Sequence, residues 1–323
     1  MERKKASDFD QELLNIFDQY VHGAIDRRGF LDRAAKFAVA GMTAAMLLDA
    51  LSPKFAEAQQ VAKDDKRLKT QYVDYESPQG TGKVRAYLAR PSDATGKLPG
   101  ILVVHENRGL NPHIEDIARR LALENFMALA PDALTLLGGY PGDEDRARQL
   151  FAKLDPANAR EDFAAAAAVL KTRSDCTGKI GVVGFCYGGG IAHMLATRLP
   201  DLAAAVPFYG TQPAVSEAAK IKAPLLIHHA ENDERINAGW PAYETALKAS
   251  NVTYVVYQYP GTQHGFNNDT TPRYDEAAAK LAWQRTLEFF TKRVGDLSKT
   301  REDVKTWFDY LDLDDHVTFG GKP

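Results

Sequence analysis

The chain has 323 residues, and its 40 Lys and Arg against 43 Asp and Glu leave a formal net charge of −3. Near-balanced charge without a strongly basic block argues against nucleic acid as a partner, and 45% hydrophobic residues exclude global disorder. Only two cysteines, Cys176 and Cys186, exclude a disulfide scaffold and a Cys-rich zinc module, and no uninterrupted apolar run approaches the ~18 residues of a membrane span.

At the start of the chain, Leu13, Leu14, Phe17, Tyr20 and Val21 recur at helical spacing and predict an amphipathic helix over 8–22. Arg27-Arg28-Gly29-Phe30-Leu31, the weakly apolar run Phe37 to Leu48 and Ala56-Glu57-Ala58 have the form of a twin-arginine export leader. Two features depart from that form: five basic against six acidic side chains through Arg28, and Asp32 where a leader carries a base. Residues 1–58 are therefore expected to be a leader to the periplasm. The alternative is a retained helical extension of a cytoplasmic protein, packed on the body or on a second copy in a homo-oligomer.

From about residue 70, strand and helix alternate. Tyr72–Glu76 and Val84–Ala89 flank a turn-rich stretch and predict an antiparallel hairpin. Apolar runs at 101–104, 180–183, 204–208, 225–227 and 252–259 read as strands covered on both faces. Helices are predicted at 113–125, 157–172, 188–198, 241–250 and 275–292, with Asp155 as N-cap and Pro156 in the first turn of the second. Alternating βα units imply an α/β fold, an open and mostly parallel sheet with helices on both faces, over 59–292. Trp307, Phe308, Tyr310 and Leu311 suggest a further docked helix within a C-terminal extension, 293–323.

Ligands of such sheets bind beyond the carboxyl ends of the strands. Glu106, Cys186, Asp233 and His264 each fall just after a predicted strand, so all four gather on one rim. Gly184-Phe185-Cys186-Tyr187-Gly188 lies between strand and helix and has the form of a nucleophile elbow with Cys in place of Ser. The turn sets the sulfur at a helix N-terminus, where the dipole favours a thiolate. The order nucleophile, acid, base is that of the α/β-hydrolases, with Glu231 and Glu234 as local competitors of Asp233. His228-His229 makes a poor metal pair because neighbours on a strand point to opposite faces, and no metal or cofactor is expected. Gly181 to Gly190 is Gly-rich but lacks the Lys-Ser/Thr ending of a P-loop and the spacing of a dinucleotide fingerprint. A Cys176–Cys186 disulfide would have to close a strand ~20 Å long at about 3.3 Å per residue.

Gly-Phe-Cys-Tyr-Gly-Gly-Gly, the late Asp and Pro-Gly-x-x-His-Gly-Phe resemble the dienelactone hydrolases (carboxymethylenebutenolidases) over roughly 70–292. The resemblance implies an α/β-hydrolase fold without a large cap. It also implies hydrolysis of a small-molecule ester or lactone through a thioester on Cys186. By the same resemblance Glu106, in His105-Glu106-Asn107-Arg108-Gly109, restrains the resting thiol. His264 would handle the thiol proton and Asp233 would orient its ring. The backbone N–H groups of Tyr187 and Asn107 would receive the oxyanion, each worth ~3 kcal/mol. Family members that act on dienelactone hold its carboxylate with arginines, and the matching stretches 131–137 and 264–268 contain none. Arg108 is the remaining cation, while Tyr140, Tyr187, Trp240 and Phe266 are expected to make an apolar wall, which favours neutral substrates. A broader esterase or thioesterase on the same residues, and a non-catalytic protein with a redox-reactive Cys186, are the rival readings.

Overall fold

The computed structural model describes residues 4–38 and 41–295. The helix expected around Trp307 to Leu311 lies outside the described residues. Four helices come first: α1 (Gln11–Val21), α2 (Arg27–Ala34), α3 (Ala44–Leu51) and α4 (Phe55–Ala58). The body follows as β1 (Leu68–Ser77), β2 (Gly82–Pro91), β3 (Leu98–Val104), α5 (Pro112–Leu123), β4 (Met127–Pro131), α6 (Glu144–Phe151) and α7 (Pro156–Thr172). It continues through β5 (Cys176–Phe185), α8 (Tyr187–Arg198), β6 (Ala204–Phe208), β7 (Leu225–Asn232), α9 (Glu234–Asn237), α10 (Trp240–Ala249), β8 (Tyr254–Gln263) and α11 (Glu276–Arg293).

The eight strands form one sheet in the order β1-β2-β4-β3-β5-β6-β7-β8. β1 pairs with β2 and β2 with β4 antiparallel; all later pairs are parallel. β3 and β6 are buried at every position, as strands covered on both faces must be. One face packs Phe163, Leu170, Ile191 and Leu195 against the sheet; the other packs Ile114, Leu121, Phe289 and Phe290. Asp155 caps α7 by accepting from the N–H groups of Ala157 and Asn158, with Pro156 where no donor is needed.

β4 and α6 are additions to the alternation read from the sequence. Met-Ala-Leu-Ala-Pro is only five residues long and has no β-branched side chain, so nothing local marks it as a strand. Its place between β2 and β3, buried throughout, makes it one.

The described residues among 4–58 include a small helical unit with its own core, Leu13 to Leu51. The stripe of α1 buries Leu13, Leu14, Phe17 and Tyr20 against Phe30 of α2 and against Leu47, Leu48 and Leu51 of α3. Phe30, part of the twin-arginine pattern, is fully buried, and its ring meets Phe17 edge-on at 6.1 Å. Among the described residues no helix is long and apolar enough to cross a membrane.

Candidate active site

Cys186 closes β5 and serves as N-cap of α8, with φ +56° and ψ −111°. An L-residue held there is strained, and its surroundings must impose the turn. They do so by close approach. A Cβ at Gly189 would lie 2.6 Å from the Phe208 carbonyl oxygen, and one at Gly184 would collide with the backbone of Gly188. The Cys186 N–H donates to the Phe208 carbonyl at 3.0 Å, and its own carbonyl accepts from Gly190. The side chain is thereby fixed at the mouth of the sheet, 8% exposed.

Asp233 follows β7 and caps the short α9, while His264 follows β8. The His264 Nδ1–H donates to Asp233 Oδ2 at 2.6 Å, with both side chains nearly fully buried. That bond leaves Nε2 buried and turned toward the Cys186 sulfur. Glu231 instead accepts from the Gly261 N–H, so neither it nor exposed Glu234 competes for the ring. Burial works against charge on His264. The Cys186 thiolate and the Asp233 carboxylate outweigh it, and the imidazolium persists up to about 10. Burial likewise raises the thiol, yet the positive charge of His264 and then of His22 brings Cys186 down to about 6. Both shifts favour a thiolate–imidazolium pair.

Glu106 reaches the same rim, but the residue on its carboxylate is Asn268, whose Nδ2 donates to Oε2 at 2.7 Å. The contact at the sulfur comes from elsewhere, as described below. His105 fixes the turn by donating from Nδ1 to the Glu106 carbonyl while Nε2 accepts from Ala133. The ring of Tyr187 lies among His105, Phe151 and Phe163, which holds the first residue of α8 in place. Arg108 lies 3.5 Å from Glu144, and Tyr140 donates to that same carboxylate at 2.8 Å. Trp240 packs on His229, Tyr243 and Tyr254, and Phe266 is fully buried against Tyr209 and Tyr259. Phe266 is thus fully enclosed, whereas Trp240 remains half-buried. His228 bonds Tyr259 and Thr286, whereas His229 faces Trp240, so the two rings do point to opposite sides.

The sequence reading does not include the residue closest to the nucleophile. His22, just past the end of α1, places Nε2 3.3 Å from Cys186 Sγ, and its ring meets His264 edge-on at 4.8 Å. Its Nδ1–H donates to the Asp18 carbonyl at 2.8 Å and faces the Asp18 carboxylate at 3.2 Å. Burial opposes charge on His22, but the Cys186 thiolate and Asp18 raise its pKa. Arg273 grips Asp18 at 3.1 Å, and the side chains of Asn107 and Arg108 donate to the Val21 carbonyl. Exposed Arg235 brings a guanidinium nitrogen to 3.1 Å from His22 Nε2. Gln11 and Gln263 exchange two side-chain hydrogen bonds. The donor atoms of His22, Cys186 and His264 all lie within 4.8 Å of one another, a group able to hold a metal ion. Helical periodicity marks 8–22 as a helix; no local signal says that its end meets a cysteine 164 residues away.

The dienelactone hydrolase family profile matches residues 84–294, and a profile described as YqhI-like matches residues 1–36. A Salmonella typhi protein named "Putative carboxymethylenebutenolidase" is 35% identical over 225 residues, which is 65% of this chain and 83% of that one. "Putative hydrolase fragment YghX" of Escherichia coli is 51% identical over 117 residues, 36% of this chain and 100% of that one. A crystal structure described as "Putative Dienelactone Hydrolase" from Klebsiella pneumoniae superposes with a TM-score of 0.61 at 30% identity, covering 69% of this chain and 99% of that one.

Proposed function

The chain belongs to the dienelactone hydrolase family, has the α/β-hydrolase fold and is a hydrolase of ester or lactone bonds; from this premise we propose that it works through a cysteine acyl-enzyme on Cys186, His264 and Asp233. The observation that carries the reading is the buried thiol facing an imidazole whose far nitrogen is held by a carboxylate at 2.6 Å. The Sγ thiolate attacks the substrate carbonyl carbon, and the oxygen gains the negative charge near the N–H groups of Tyr187 and Asn107. As the tetrahedral centre collapses, His264 gives its proton to the departing alkoxide, leaving a thioester. Neutral His264 then takes a proton from water as the hydroxide adds to the thioester carbonyl. Loss of the thiolate releases the acid and restores the ion pair.

Neutral small esters and lactones suit the rim best. Two buried arginines near it are already engaged, Arg108 by Glu144 and the Val21 carbonyl and Arg273 by Asp18. An anionic substrate would have to displace one of these partners. The reading is tested by kcat/KM for an aryl acetate, a neutral lactone and an anionic dienelactone, each with the wild type and with Cys186→Ala. Turnover should vanish in the variant and favour the neutral compounds in the wild type. Turnover that survives Cys186→Ala overturns the acyl-enzyme. A tenfold preference for the anionic lactone that Arg108→Ala abolishes overturns the substrate class.

A further inference from the structure

Two Asp–His pairs flank one sulfur. His264 is backed by Asp233 and His22 by Asp18, and both rings turn Nε2 toward Cys186. Hydrolysis through a thioester needs one imidazole, so the second pair is surplus to the mechanism. We propose that His22, Cys186 and His264 form a site for a borderline-soft divalent cation, zinc above all, assembled between the N-terminal helical unit and the body.

The donor chemistry fits. A thiolate and two imidazoles are the ligands zinc prefers, and a fourth position remains for water. The tautomers fit as well. Each Nδ1–H is committed to an oxygen, the His264 one to Asp233 and the His22 one to the Asp18 carbonyl, which leaves Nε2 as the lone-pair nitrogen. Carboxylates on the remote nitrogens of ligating histidines orient the rings and raise their basicity. The spacing is close to what an ion requires. Bonds of about 2.3 Å to sulfur and about 2.0 Å to nitrogen put tetrahedral donors roughly 3.3–3.6 Å apart. The His22–Cys186 pair already stands at 3.3 Å, and the other distances do not exceed 4.8 Å. His264 Nε2 is buried and faces the same sulfur. Arg235 and the His264 imidazolium oppose a cation at His22 Nε2; exposed Arg235 can turn to solvent, and the His264 proton leaves as the ion binds. Binding displaces the imidazolium protons to solvent and ties up the nucleophile, so the bound ion blocks turnover while fastening α1 across the rim.

Metal binding is read without reference to hydrolysis, so its failure and that of the acyl-enzyme are separable. Untagged, reduced full-length protein is titrated anaerobically with Co²⁺, and Zn²⁺ binding is measured by equilibrium dialysis. The expected result is one ion per chain, a thiolate-to-cobalt charge-transfer band with tetrahedral d–d bands, and protection of Cys186 from iodoacetamide by Zn²⁺. His22→Ala should lower Zn²⁺ affinity at least tenfold, and Asp18→Asn about tenfold or more. His22→Cys, which keeps a soft donor, should recover most of the loss. Circular dichroism checks that each variant is folded. Absence of the charge-transfer band, or equal Zn²⁺ affinity in His22→Ala and wild type, overturns the proposal and leaves at most a Cys–His pair that any thiol hydrolase offers.

Discussion

The two thiols of the chain are chemically distinct because of their surroundings. Cys176 lies at the buried start of β5, where burial pushes its pKa up; Cys186 lies between two imidazoles, which bring it down to about 6. Iodoacetamide at neutral pH should therefore label Cys186 well before Cys176, as peptide mapping after partial alkylation would show. The same pair sets the pH profile. Nucleophilic thiolate is gained as pH rises through about 6, and the His264 proton needed by the leaving group is lost as pH passes about 10. The expected kcat/KM is a bell with a plateau between those limits, measured with a neutral aryl acetate. Asp233→Asn removes the charge that holds the ring, and kcat should fall on the order of 10⁴-fold with little change in stability. Cys186, Asp233 and His264 were legible in the sequence because each follows an apolar strand, and a parallel sheet brings strand ends to one rim. His22, Asp18, Arg235 and Arg273 were not legible. Their meeting depends on how a helical unit docks, and docking leaves no periodic trace in the chain.

The elements show the same division. The elbow could be read from its glycines, since a strand-to-helix turn this tight admits no side chain at Gly184, Gly188 or Gly189. Gly189→Ala would drive a methyl to 2.6 Å from the Phe208 carbonyl, a backbone atom that has no room to yield. It should destabilise the fold by about 3 kcal/mol or more, visible in denaturant unfolding, and leave alkylation of Cys186 slowed or lost. Two residues of the twin-arginine pattern make contacts within this fold. Arg27 pairs with Asp145 at 2.7 Å on α6, and Phe30 fills the centre of the helical unit. A pattern of residue types does not distinguish a peptide read by an export machine from a short amphipathic helix, because both need a basic end and an apolar stretch.

At the scale of the molecule, the helical unit is held over the rim mainly by polar and cation–π contacts. Arg273 both pairs with Asp18 and lies over the Phe17 ring at 5.2 Å, and Arg148 lies over Tyr20 at 4.7 Å. The half-buried Arg148 contact is worth about 1 kcal/mol, whereas Arg273 is buried and its pair with Asp18 costs more to break. Arg273→Ala should raise the alkylation rate of Cys186 several-fold, followed by iodoacetamide kinetics, with calorimetry to check that the body stays folded. Unchanged alkylation would mean that the unit is held by its other contacts. The alternating βα pattern made the body's architecture readable from end to end, apart from β4 and α6. The roof over the site could not be read because its partners are scattered from Asn107 to Arg273.

The docking of α1 also fixes an order of events during synthesis. The helix that touches the nucleophile leaves the ribosome well before Gln263, His264 and Arg273, which receive it. At about 5–20 residues per second that gap is on the order of 10–50 s. Throughout it α1 and α2 have only each other and α3 to cover Leu13, Phe17 and Tyr20. In the finished fold these three short helices share one core, and the rest of the chain arrives only later. The sulfur is roofed only once the last catalytic residue has emerged, so a nascent chain stalled before Arg273 would present Cys186 open to alkylation.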